Sequence, residues 1–178
     1  RAVASAEAFD PWNLQHLYAI DGRLNQNSLV GRAISFMDVT KKEPAHGRTL
    51  AIAAIAWVPR ALWPGKPEFG GSGGLAAEYT GRTFAKGTSV GVGHVMELYI
   101  NFLMPGVGLG FFIFGAVIRY VDVHAADALR CGRTWDYVFY HLVGLVALQP
   151  GGMWAESVGS AAAAALLAAV LRRTGIRP

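Results

Sequence analysis

Cysteine is nearly absent from this sequence. Cys131 is the only one among 178 residues, so no internal disulfide can form, and on its loop it reads as inert. No C-x-x-C pair or Cys/His spacing suited to zinc occurs, and neither a metal nor another cofactor is expected. Charge is scarce too: Asp, Glu, Lys and Arg make up 16% of the chain, against roughly 25% in an average soluble domain. With 53% hydrophobic residues, that deficit excludes a disordered tail and a coiled coil. The 22 glycines follow no G-X-Y period, which excludes collagen. The run Gly70-Gly71-Ser72-Gly73-Gly74 lacks the Lys-Ser/Thr ending of a phosphate-binding P-loop. The net charge of +4 forms no basic stripe interleaved with aromatics, so no nucleic-acid partner is expected. The chain opens on Arg1 without the basic-then-apolar order of a signal peptide, and it is expected to be the C-terminal part of a larger protein.

What is present is a set of long uncharged runs. Leu98 to Ile118 is 21 residues between Glu97 and Arg119; as a helix it spans about 30 Å, the hydrocarbon thickness of a bilayer. Pro105 and Gly106 split it, so the span is expected to start near Gly106 and to leave 98–104 as a half-turn or broken helix. Tyr137 to Ala155 is a second run, 19 residues long, and Ser157 to Leu171 a third, rich in alanine and suited to close helix packing. The expected fold is therefore an all-α integral membrane protein with about three transmembrane helices (98–118, 137–155, 157–171), part of a larger multispanning bundle. Glu156, entering the third run, and His141, within the second, read as polar packing contacts between spans.

Arg119, Arg130 and Arg133 lie in the first connecting loop and Arg172, Arg173 and Arg177 in the tail, whereas 149–156 holds no Lys or Arg. The positive-inside rule makes that loop and the tail cytoplasmic. Residues 1–97 then form an external region. Within it, 28–37 and 49–58 have the apolar spacing of short helices, the second stopped by Pro59, and the chain beyond is turn-rich. A soluble helical bundle is the alternative, and the run lengths disfavour it.

Two stretches can carry chemistry. In Val58-Pro59-Arg60-Ala61-Leu62-Trp63-Pro64-Gly65-Lys66-Pro67, three prolines stiffen the backbone around two cations and an indole. Arg60 can hold a phosphate through its guanidinium fork and Lys66 adds a point charge, while the bland alternative is a Trp/Arg anchor against lipid headgroups. In Thr88 to Phe102, a helix places His94, Glu97 and Asn101 on one face at the membrane boundary, where an ionisable group usually has a function. The alternatives are a structural histidine and a salt bridge from Glu97 to Arg60, Arg82 or Lys86. Arg82 and Lys86 read more simply as solvated charges. The polar cluster Asp21 to Asn27, with Arg23, either binds sugar hydroxyls or caps the next helix, and capping is the simpler reading.

The order V-P-R-A-L-W-P-G-K-P, T-S-V-G-V-G, E-L-Y-I-N-F and P-G-V-G-L-G resembles the C-terminal part of bacterial oligosaccharide repeat-unit polymerases of the Wzy type, over about residues 23–120. Leu103 departs from the pattern, which has glycine after Asn-Phe. The resemblance implies a multispanning inner-membrane glycosyltransferase acting on undecaprenyl-pyrophosphate-linked oligosaccharide, with membrane lipid around it and chain-length regulator and flippase proteins as partners. On that reading Glu97 or His94 is the catalytic base. Arg60, Lys66 and Arg82 neutralise the pyrophosphate, and Arg23, Asn101 and Trp63 complete substrate binding. A non-catalytic lipid-linked glycan transporter and an O-antigen ligase are the competing readings.

Overall fold

The computed structural model describes residues 10–24, 27–56, 58, 62–65, 71–85, 90–149 and 151–173. All regular structure among them is helical: α1 (Leu14–Leu24), α2 (Asn27–Thr40), α3 (Arg48–Ala56), α4 (Gly71–Thr80), α5 (Gly93–Arg130), α6 (Thr134–Ala147) and α7 (Trp154–Arg173). Two of these, α5 and α7, are long and apolar enough to cross a membrane.

α5 is not a rod. Leu103 has φ 59° and ψ −158°, and Pro105 follows it, so the helix breaks into 93–102 and 104–130. In a straight helix His94 and Phe114 would stand about 30 Å apart. Here their rings lie 5.7 Å apart, so the first half folds back along the second. Gly106 and Gly110 make this approach possible. A Cβ on Gly106 would stand 2.3 Å from the Phe102 Cβ, and one on Gly110 would stand 2.6 Å from Leu98. The expected break before Gly106 is thus present, and it is a reversal.

Leu103 stands where the resemblance expects glycine, and it occupies a conformation that is essentially glycine's alone, at a cost of about 1–3 kcal/mol for any other residue. Leu103 is also 41% exposed, so truncating it sacrifices little packing. Leu103→Gly is expected to raise stability by about 1 kcal/mol once glycine's greater freedom in the unfolded chain is subtracted. Thermal unfolding of wild type and variant checks this, with a rise of roughly 2–4 °C expected.

The short helices build a small core with the first half of α5. Leu29, Ala33 and Met37 of α2 meet Leu75, Ala76 and Tyr79 of α4 and Val92, Met96 and Ile100 at α5. This explains why the glycine run opens a helix where the sequence suggested turns: Leu75 and Tyr79 gain burial, and Ser72 Oγ accepts the Val90 N–H at 3.0 Å. Lys42 and Arg48 both pair with Glu78. The expected helices at 28–37 and 49–58 appear as α2 and α3 with shifted ends. In the cluster at 21–27, Asp21 to Leu24 complete α1 and Asn27 opens α2, while Asn25 and Gln26, where a cap on α2 would stand, lie outside the described residues.

The second half of α5, α6 and α7 pack as consecutive antiparallel helices, with Gly144 of α6 against Val121 and α7 returning beside α6. The expected span 137–155 is not one helix. α6 ends at Ala147, the turn occupies 148–153, and α7 starts at Trp154. With 14 residues α6 rises about 21 Å, short of the roughly 30 Å hydrocarbon layer. At the far end of this bundle Arg133 bridges Asp127 and Asp136, and Arg172 reaches Asp136 at 2.9 Å, which gathers the α5–α6 loop and the end of α7 on one side. Among the described residues the polar contacts of Glu156 and His141 stay local and do not join spans as expected: Glu156 Oε2 accepts the Met153 N–H of its own helix start, and His141 stacks on Tyr137 one turn earlier. Gly159 of α7 packs against Ala56 of α3, as the small-residue face suggested.

Candidate functional site

The first half of α5 carries two faces. Met96 and Ile100 enter the small core, and His94, Glu97 and Asn101 face α3 and α7. The left-handed Gly93 (φ 69°) sets the entry to this segment, a conformation that a side chain would strain. The three polar residues converge as the i, i+3, i+7 spacing predicts, and they are deeply buried: Glu97 and Asn101 are fully enclosed and His94 is 5% exposed.

Glu97 sits at the start of α7. Its Oε2 accepts the Trp154 backbone N–H at 2.7 Å, the first amide of that helix, where the helix dipole places partial positive charge. Thr49 of α3 stands beside this carboxylate. Thr49 Oγ1 in turn accepts from Asn101 Nδ2 at 2.7 Å, and the same amide donates to the Glu97 carbonyl at 2.6 Å. Removing a carboxylate from water costs several kcal/mol, which fixed donors and the dipole offset only in part. Glu97 Oε1 has no hydrogen-bond partner among the described residues, and neither do Asn101 Oδ1 and Trp154 Nε1. Among the described residues Glu97 makes no ion pair, with Arg82 or any other cation, and its support is the Trp154 amide; Arg60 and Lys86, the other partners considered from sequence, lie outside the described residues.

Beside it, His94 Nε2 and Ser157 Oγ share a hydrogen bond of 2.9 Å. The His94 ring stacks on the Trp154 indole at 4.2 Å, and Phe114 closes on both edge-on. The result is a dry-walled polar cluster joining α3, α5 and α7. Its chemical capacity is that of a proton acceptor, through the bare lone pairs of Glu97 Oε1, with an imidazole alongside. No group of three His, Cys, Asp or Glu side chains suited to a metal gathers among the described residues.

The other expected site residues are placed differently. Arg82 is exposed with its guanidinium over the Phe84 ring. Trp63 is 41% exposed beside the more exposed Leu62, so the part of the proline-rich hook that is described faces outward. Arg60, Lys66 and Lys86 lie outside the described residues, as does the side chain of Arg23. Thr49, Trp154 and Ser157 escaped sequence reasoning. The spacing of Met153 and Glu156, half of a capping box, could have marked the start of α7 and hence the free amide of Trp154. Nothing local signals Thr49, which meets Asn101 across 52 residues.

No family model matches this chain, and no curated protein or solved structure is significantly similar to it.

Proposed function

We propose that this chain is part of a bacterial inner-membrane polymerase that joins undecaprenyl-pyrophosphate-linked oligosaccharide repeat units at the outer membrane face. The observation that carries the reading is Glu97: a fully buried carboxylate held by a helix N-terminus, with one oxygen bare, beside His94 and Asn101. Buried carboxylates in such settings are more often functional than structural.

The membrane placement rests on α5 and α7. Only 11% of each apolar window is buried within the chain, whereas the core helix of a soluble protein would be mostly covered. Met104, Leu109, Phe112 and Ile113 of α5 and Leu166 and Leu167 of α7 point outward and suit lipid. The end holding Arg130, Arg133, Arg172 and Arg173 is cytoplasmic by the positive-inside rule. The Glu97 cluster, about 30 Å away along the 20 residues of α7, then faces the outside, with α6 as a shorter third pass.

In the reaction, the acceptor hydroxyl oxygen bonds to the anomeric carbon of the growing chain as the anomeric C–O bond to undecaprenyl pyrophosphate breaks. Glu97 takes the hydroxyl proton, with His94 as its neighbour in proton transfer and Asn101 orienting the sugar. Arg60 and Lys66 neutralise the diphosphate, Arg82 and Arg23 add to the cationic surface, and Trp63 offers a stacking face. Because Glu97 is sealed, the acceptor reaches it only when the start of α7 moves off α5.

Arg60→Ala in the full-length protein tests the cationic part in cells. Single repeat units are expected to accumulate on the lipid carrier at the outer face while chains disappear. Units trapped on the cytoplasmic side would instead favour a transporter. Polymer retained on the carrier without transfer to its final acceptor would favour a ligase, and normal chain length would remove Arg60 from the site.

A further inference from the structure

We propose that Ser157 is a positioning residue for His94: its hydroxyl fixes which way the imidazole faces, and it stays bonded to Nε2 whether that nitrogen holds a hydrogen or a lone pair. His94 Nε2 and Ser157 Oγ stand 2.9 Å apart, and both side chains are buried. Among the described residues this is the one hydrogen bond of the ring.

The aromatic contacts leave a choice that this bond makes. Trp154 stacks on the imidazole at 4.2 Å and 22°, and Phe114 meets it edge-on at 5.7 Å and 71°. Together they fix the plane of the ring. A half-turn about the Cβ–Cγ bond keeps that plane, yet it exchanges each ring nitrogen with a ring carbon, so stacking is nearly blind to it. Only a polar partner tells the two orientations apart, and Ser157 is that partner. A hydroxyl also suits a group that changes its proton count, because it both donates and accepts. It donates to Nε2 when the neutral ring carries its hydrogen on Nδ1, and it turns to accept when Nε2 carries one, so the ring need not move between these states. Ser157 lies three residues after Trp154 on α7, so one turn of that helix holds His94 through a hydroxyl and an indole, and Glu97 through an amide. The consequence rests on the proposed function: His94 is the neighbour of Glu97 in proton transfer, and a ring held in one orientation presents the same nitrogen in every turnover. A plain packing contact between helices would add stability without setting the ring.

The test compares wild type, Ser157→Ala and Ser157→Thr in the full-length protein in detergent, with isotope-labelled histidine and nitrogen NMR. The His94 ring signals are identified by their loss in His94→Gln, and they report the hydrogen bonding and tautomer of each nitrogen. Ser157→Ala is expected to shift the Nε2 signal, and Ser157→Thr, which keeps the hydroxyl, to return it toward the wild-type position. Elongation at matched protein levels is expected to fall about tenfold in Ser157→Ala, the worth of one hydrogen bond, and to recover in Ser157→Thr. An Nε2 signal unmoved by Ser157→Ala would overturn the proposal, as would full elongation by that variant, and equal losses in both variants would assign Ser157 to packing alone. Wild-type protein that never elongates would remove the proposed function instead, and the spectra would still decide whether Ser157 sets the ring.

Discussion

Glu97→Gln is expected to lower chain elongation by a factor of about 100 or more, within the range that a positioned general base contributes. Glutamine preserves the volume of the buried side chain, and its amide oxygen can still accept the Trp154 N–H that Glu97 Oε2 now holds at 2.7 Å. What it removes is the bare carboxylate oxygen that would receive the acceptor's proton. The loss should fall on turnover rather than on folding, so the variant should reach the membrane in normal amounts. Glu97→Leu is a different experiment. It strips the Trp154 amide of its partner inside a closed cluster, at about 1–3 kcal/mol, so its inactivity would report mainly on structure. Elongation measured for both variants at matched protein levels separates the two effects. Full elongation by Glu97→Gln would remove the proposed base.

The second large effect concerns the reversal inside α5. Gly106→Ala places a methyl carbon 2.3 Å from the Phe102 Cβ and 3.2 Å from the Leu98 carbonyl oxygen. Neither is the far end of a flexible side chain, so the two halves of α5 must separate. The expected destabilisation is about 3 kcal/mol or more, at the upper end of overpacking effects. Because Glu97 and Asn101 ride on the displaced half, activity should fall with stability. Gly108 and Gly115 are the controls. Nothing lies within 4 Å of a Cβ at either position, so alanine there should be neutral or gain up to about 1 kcal/mol of helix propensity. Thermal unfolding of the three variants checks the ranking; equal behaviour of Gly106→Ala and Gly108→Ala would contradict the hairpin.

The convergence of His94, Glu97 and Asn101 was legible because it depends only on helical spacing along ten residues. So was the break before Gly106, since proline and glycine act locally. The reversal was not, because its sharpness comes from Leu98 and Phe102 seating on Gly110 and Gly106, contacts that no periodicity encodes. The second span was misread for a related reason. Residues 137–155 are uninterrupted by charge, but helix length is set by backbone geometry at Leu148 and by the cap at Met153, not by hydropathy. The glycine run at 70–74 read as a turn because propensity was weighed without the burial of Leu75 and Tyr79 against α2. Trp154, Ser157 and Thr49 reach the site from segments 52 to 63 residues away, which is tertiary information.

The most direct measurement is the glycan made by the purified full-length protein in proteoliposomes supplied only with lipid-linked single repeat units. A ladder of lipid-linked chains with regularly increasing length, absent when Glu97 is glutamine, is the predicted result. Repeat units that remain single, with wild-type protein folded and correctly inserted, would contradict the account.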